Sequence, residues 1–304
     1  MNLSRLWPLL LGSGITLGLG APIAKAAAYT GVGALAFALW PTLAAGLLLG
    51  AIGLLRQGRP ADLPRLMRFG SVAGLFGHAM PMSAMFWLSS QAGAGFASLS
   101  LTLPPVFTLL VTVLLGLERF ALRRGVAVAL GLSGALLMLA GRGGSFEATP
   151  ALLAMALAIP VSIGAANVYR SRRMPPGASG EWMSSSTLLA SSSMLALAGL
   201  ALDNVAPPLT APALAWMALQ AAVLTVGYLF YFALQRRAEP VTFSFIGYVM
   251  MLPGVTIGTF VFGERLPWTV WPAAALVFAA LLLLQSPARP PMPATVRRDQ
   301  EAPV

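Results

Sequence analysis

Apolar residues in this chain run in stretches of about 20, separated by short polar loops, with no strict alternation and no single apolar helical face. A helix of that length crosses the hydrocarbon core of a bilayer, and ten such stretches can be placed. The first five predicted helices are Leu6–Ala24, Val32–Leu55, Leu66–Ser89, Gly95–Leu117 and Leu122–Gly141. The second five are Pro150–Tyr169, Trp182–Leu202, Ala213–Gln235, Val241–Phe262 and Trp268–Gln285. Linkers such as Arg56–Pro64, Arg142–Thr149, Met174–Gly180 and Asp203–Pro212 are short and rich in Pro, Gly or Arg. The tail after Ser286 is Pro-rich and charged, a composition that predicts disorder.

Charge then orients the pattern. Lys and Arg collect in every second loop, and cytoplasmic loops are the ones that keep them, because positive charge resists translocation. With both termini inside, sixteen of the 19 cations are cytoplasmic, and only Lys25, Arg142 and Arg265 face out. Composition agrees: 58% of residues are hydrophobic and 9% charged, against about a quarter charged in a soluble domain. The net charge of +10 is spread over separate loops without aromatic interleaving. It therefore speaks for topology and anionic headgroups as partners, with no nucleic acid. The fold class expected is all-α, a polytopic membrane protein.

The N-terminus also imitates a secretory signal, with Arg5, an apolar run and the A-x-A-like Ala24-Lys25-Ala26. A repeat argues for its retention. At a constant offset that lays Leu88 on Leu234, the Gly116–Phe120 segment GLERF falls on the Phe262–Leu266 segment FGERL. Glu118-Arg119 then meets Glu264-Arg265, and Ala92, Ser98 and Leu136 find identical counterparts. This divides the chain into a first five-helix repeat at 1–144, a second at 145–286 and a tail at 287–304. Five is an odd number, so the second copy inserts upside down. Inverted repeats are a common architecture of secondary transporters, with the substrate site near the midplane.

The residues resemble the drug/metabolite transporter superfamily, in particular its ten-helix EamA-type members. The likeness is carried by GLGAPIAK (Gly18–Lys25), LPPVFTLLVTVLLGLER (Leu103–Arg119), ANVYRSRR (Ala166–Arg173) and IGYVMMLPGVTIGTFVFGERL (Ile246–Leu266). It departs from the family at Trp40-Pro41, where an arginine is usual, and at Leu117, which interrupts the first Gly-Glu. The resemblance implies a solute exporter or exchanger, with amino acids or related metabolites as cargo.

Polar groups at depth mark candidate pathway residues, because they avoid lipid. His78 is the single histidine, mid-span in the third helix. It reads either as a cavity group that contacts substrate or carries a proton, or as a hydrogen-bonded bridge to a neighbouring helix. Met82 and Met85 share its face, and a soft methionine wall suits varied cargo. Ser98, Thr102, Pro105 and Thr112 form one stripe of the fourth helix, and Ser244, Tyr248 and Met251 one of the ninth. Pro104-Pro105 removes backbone hydrogen bonds and is expected to expose carbonyls there. Asn167, Gln220 and Tyr228 are the other polar groups at depth, whereas Tyr231, Trp182 and Trp268 read as interfacial anchors. Lys25 and Arg170, one near each surface, and the pairs Glu118-Arg119 and Glu264-Arg265 at helix ends, are candidate gate elements. The alternative for each stripe is ordinary helix packing through small and hydroxyl residues.

Other classes find little support. One histidine, no cysteine and no buried acidic pair leave neither a metal site nor a nucleophile–base constellation, so no enzyme and no cofactor are expected. A carrier of small-molecule solute, acting as a monomer, is the primary expectation. A drug or cation efflux carrier of the same fold and a non-transporting membrane scaffold are the alternatives.

Overall fold

A computed structural model describes residues 6–92, 100–101, 103–117, 121–140, 150–201 and 205–263, with isolated positions between 268 and 283. Among them there are helices and no strand, as an all-α polytopic membrane protein requires. In a bilayer the helix is one of only two ways to satisfy every backbone group internally. Five described helical stretches are long and apolar enough to cross a membrane: Trp7–Ala28, Ala34–Gln57, Gly180–Ala201, Ala211–Gln235 and Pro240–Phe260.

The first predicted helix is two: α1 (Trp7–Gly18) and α2 (Gly20–Ala28), joined at Leu19. After α3 (Ala34–Gln57), the third begins at α4 (Leu63–Gly74), whose Asp62 Oδ1 accepts from Arg65 N at 2.9 Å as an N-cap. It passes through a π-turn at Leu75–Ala79 into α5 (Met80–Ala92). Residues 93–99 lie outside the described part, and α6 (Pro104–Leu114) follows. Pro104 and Pro105 open this helix, where a missing N–H leaves nothing unsatisfied; most of the predicted span ahead of them lies outside the described residues.

The chain continues through α7 (Leu122–Ala140), α8 (Pro150–Arg173), α9 (Gly180–Ala201) and α10 (Ala211–Gln235). The ninth predicted helix is also double, α11 (Pro240–Ser244) and α12 (Ile246–Phe260). Helix α8 runs one turn past the predicted end at Tyr169, which moves Arg170 into the helical body.

Packing relies on close backbone approach through small residues, as expected where lipid supplies no hydrophobic drive between helices. Helix α9 lies against α3 and α4. There Ser185 Oγ donates to the Gly46 carbonyl at 2.9 Å, and Ser191 Oγ to that of Gly74 at 3.0 Å. Helix α1 packs on α10 and α12, and α8 packs on α5 and α6. On the loop side, Arg124 pairs with Glu239, and Arg56 with Glu181 at 3.6 Å.

Candidate functional site

A narrow cavity of about 60 Å³ lies at the centre of the bundle. One wall comes from α1, α2, α11 and α12 through Leu17, Gly20, Phe243, Ser244, Gly247 and Met250. The other comes from the π-turn, α5, α8 and α10 through Gly77, His78, Met82, Asn167, Gln220 and Tyr228, together with Tyr231. Leu101 and Pro104 close it beside α6.

The second wall holds a connected chain of polar and aromatic groups. His78 is buried, with Nδ1 hydrogen-bonded to the Tyr228 hydroxyl at 2.8 Å and Nε2 to Thr42 Oγ1 of α3 at 3.0 Å. Two hydroxyls that can each donate or accept let the imidazole adopt either tautomer without losing a bond. Tyr228 stacks on Tyr231, one turn on along α10, with ring centroids 5.2 Å apart. The Arg170 guanidinium lies over the Tyr231 ring at 5.2 Å. Its Nη2 donates to Asn167 Oδ1 at 2.8 Å, and Asn167 Nδ2 donates in turn to Thr108 Oγ1 of α6 at 3.3 Å.

The π-turn makes this arrangement possible. An i→i+5 turn frees carbonyls from the regular ladder, and such turns favour functional sites. Ser162 Oγ of α8 caps the Phe76 carbonyl at 2.6 Å, so the widened turn is held from the neighbouring helix. Gly77 is needed because Arg170 fills the space a side chain would take: a Cβ there would stand 1.9 Å from Arg170 Nη1.

Arg170 is 1% exposed and, among the described residues, has no carboxylate within ion-pair distance. Its Nε has no hydrogen-bond partner. Position near a surface was the expectation for this cation; the extra turn of α8 instead carries it to the core. Tyr231 likewise is no interfacial anchor, since it is buried between Arg170, Tyr228 and the Phe243 ring 4.7 Å away. Trp268, by contrast, is exposed, and Trp182 is half-buried with Nε1 donating to the Gly58 carbonyl at 3.2 Å.

Of the residues singled out in the sequence, His78, Met82, Pro104, Asn167, Gln220, Tyr228, Tyr231 and Ser244 line the cavity. The Ser244 hydroxyl is turned back on its own helix, donating to the Val241 carbonyl at 2.6 Å. Pro105 is buried in the first turn of α6, beside Pro104, which does the lining. Tyr248 does not line the cavity. It is fully buried against Phe245, its hydroxyl aimed at Gly131 of α7 and without a partner.

Lys25, at the end of α2, sits over the Phe262 ring at 4.7 Å. Ser98, Thr102, Glu118, Arg119, Glu264 and Arg265 lie outside the described residues. Thr42 and Thr108 were missed. They are ordinary threonines in apolar runs, and only contact with His78 and Asn167 distinguishes them.

No described cluster of His, Asp or Glu has the makings of a metal site. An all-α membrane bundle around a cavity lined by both polar and apolar groups is an arrangement suited to handling a solute. The model of the EamA-like transporter family, part of the drug/metabolite transporter superfamily, matches residues 7–140, so this part of the chain is similar to that family. No curated protein matches the chain. A crystal structure of a protein is similar over 89% of this chain and 97% of its own, at 20% identity and a TM-score of 0.68. At that identity the likeness concerns the fold.

Proposed function

We propose that this protein is a secondary transporter of the bacterial inner membrane, exporting or exchanging a small metabolite by alternating access. Amino acids or related compounds are its cargo, both termini are cytoplasmic, and one chain is the working unit. The observation that carries the reading is the central cavity with the Thr42–His78–Tyr228 chain along one wall. A scaffold has no need of buried polar groups gathered around an internal void, since they are costly in a membrane.

Packing supports two inverted repeats. The offset that lays Leu88 on Leu234 also lays α3 on α9, the α4–α5 tract on α10, and α6 on α12. Under that exchange the contact of α1 with α10 becomes that of α8 with α5, and α1 with α12 becomes α8 with α6. Helix α3 against α9 maps onto itself. A bundle whose two halves interlock in this way can rock one half against the other around a fixed site.

Counterflow into proteoliposomes tests the reading with a panel of labelled amino acids and drug-like cations. Saturable exchange of amino acids, lost in His78→Ala, is expected. Exchange of cations alone would replace the cargo with that of an efflux carrier. No exchange of any solute by folded, reconstituted protein would favour a scaffold.

A further inference from the structure

Two buried side chains that each carry an atom without a hydrogen-bond partner, Gln220 and Arg170, stand at well-separated places along the cavity, and their separation bears on what the cavity takes. Gln220 lines one end, beside Gly20, is 2% exposed and has no hydrogen-bond partner for Oε1. At the other end Arg170 lies directly behind the lining residues Gly77, Asn167 and Tyr231, with no carboxylate beside it among the described residues and Nε unpaired. A buried carbonyl oxygen without a donor and a buried cation without an anion each cost stability until a ligand supplies the missing partner.

Gln220 and Tyr231 are on the same unbroken helix, eleven residues apart in sequence. At a rise of about 1.5 Å per residue the two poles are therefore on the order of 16 Å apart along the bundle. Allowing a hydrogen bond at each end leaves a span of about 10 Å. An α-amino acid, whose ammonium and carboxylate share one carbon, cannot satisfy both poles at once.

The volume between them is small. At about 10–15 Å³ per water on this measure, the cavity holds a short file of atoms and no bulky branch. Its middle is apolar, formed by Leu101, Ile163, Leu224 and Met250.

Resting on the transport reading above, we infer that the cavity binds a slender, unbranched ω-amino carboxylate. Its carboxylate lies at the Arg170–Asn167 end, its ammonium at Gln220 Oε1, and its methylene chain along the apolar middle. A chain of roughly eight single bonds fills the span. Neither an amine alone nor a carboxylate alone satisfies both poles.

The test is the ligand-induced shift in thermal unfolding of the purified full chain. The ligands are ω-amino carboxylates of three to eleven carbons, with n-alkylamines, n-alkyl carboxylates and α-amino acids as comparators. Apparent affinity should rise with length, peak near eight or nine carbons and fall beyond. At the peak, the amine and the carboxylate of equal length should bind at least tenfold more weakly. Gln220→Leu, which removes an unsatisfied group and should fold, should reduce the amino carboxylate to the level of the plain carboxylate. Arg170→Lys should lengthen the optimum or flatten it.

Binding of α-amino acids that equals the best long compound and is indifferent to Gln220→Leu would overturn the two-pole site while leaving amino-acid transport standing. Equal binding of alkylamines would overturn it in favour of a cation site. A folded chain that binds none of the series also overturns it, and the counterflow panel then decides separately whether the protein is a carrier.

Discussion

The two walls of the cavity are built on different principles. The wall of the π-turn, α8 and α10 carries a continuous chain of side-chain bonds, from Thr42 through His78 and Tyr228, then across stacked rings to Arg170, Asn167 and Thr108. The wall of α1, α2 and α12 is close-packed backbone: a Cβ on Gly18 would stand 2.4 Å from the Met250 carbonyl oxygen, and one on Gly247 1.9 Å from that of Leu101. The large polar side chain of α12, Tyr248, points away. The offset that superposes the helices does not superpose this chemistry, since it pairs His78 with Leu224 and Tyr228 with Met82. Repetition builds the frame of the molecule, and departure from repetition builds the site.

The sharpest way to break the contrast is Gly77→Val. Arg170 is enclosed on every side, so a branched side chain on the π-turn has to expel the guanidinium or distort the turn. Overpacking and an unpaired, displaced charge together predict a loss of roughly 3 kcal/mol, read as a lower unfolding temperature in detergent, with counterflow abolished. Wild-type stability and exchange in Gly77→Val would show that the polar wall does not depend on Arg170 lying against the turn.

Tyr228→Phe should come next. It removes the 2.8 Å bond to His78 Nδ1 and leaves a buried ring nitrogen unpaired, worth about 1–3 kcal/mol. Counterflow should fall several-fold. Thr42→Val, which strips the bond to Nε2 at 3.0 Å, should have a smaller effect of about 1 kcal/mol. Because both hydroxyls hold one imidazole, the double variant should depart from additivity by at least ~0.5 kcal/mol. Strict additivity would mean that His78 does not couple the two helices.

This difference between walls was only half visible in the chain. The all-α membrane character, the long described helices and the depth of His78, Asn167 and Tyr228 follow from apolar run length, a signal that survives errors of several residues. Arg170 does not, because its placement turns on whether α8 stops at Tyr169 or continues one turn to Arg173, and helix ends are the least legible part of a hydropathy pattern. Tyr231 was misread through the same error: near an interface it is an anchor, and beside a buried guanidinium it is part of a site. Helical spacing grouped Ser244 with Tyr248, yet α11 and α12 are separate helices broken at Phe245, so the two residues do not continue one face.

The smallest effect expected is also the most direct test of the quiet wall. In Tyr248→Phe the oxygen removed is fully buried and has no partner, so deletion relieves an unsatisfied group and forfeits no bond. The unfolding temperature should stay level or rise, by at most about 1 kcal/mol in equivalent stability, and counterflow should match wild type. Tyr228→Phe, the same chemical change on the opposite wall, should lose both. If Tyr248→Phe instead lost transport at unchanged stability, its hydroxyl would have to reach the ligand in another conformation of the cycle. The α12 wall would then be a working surface that turns toward the cavity as the halves move.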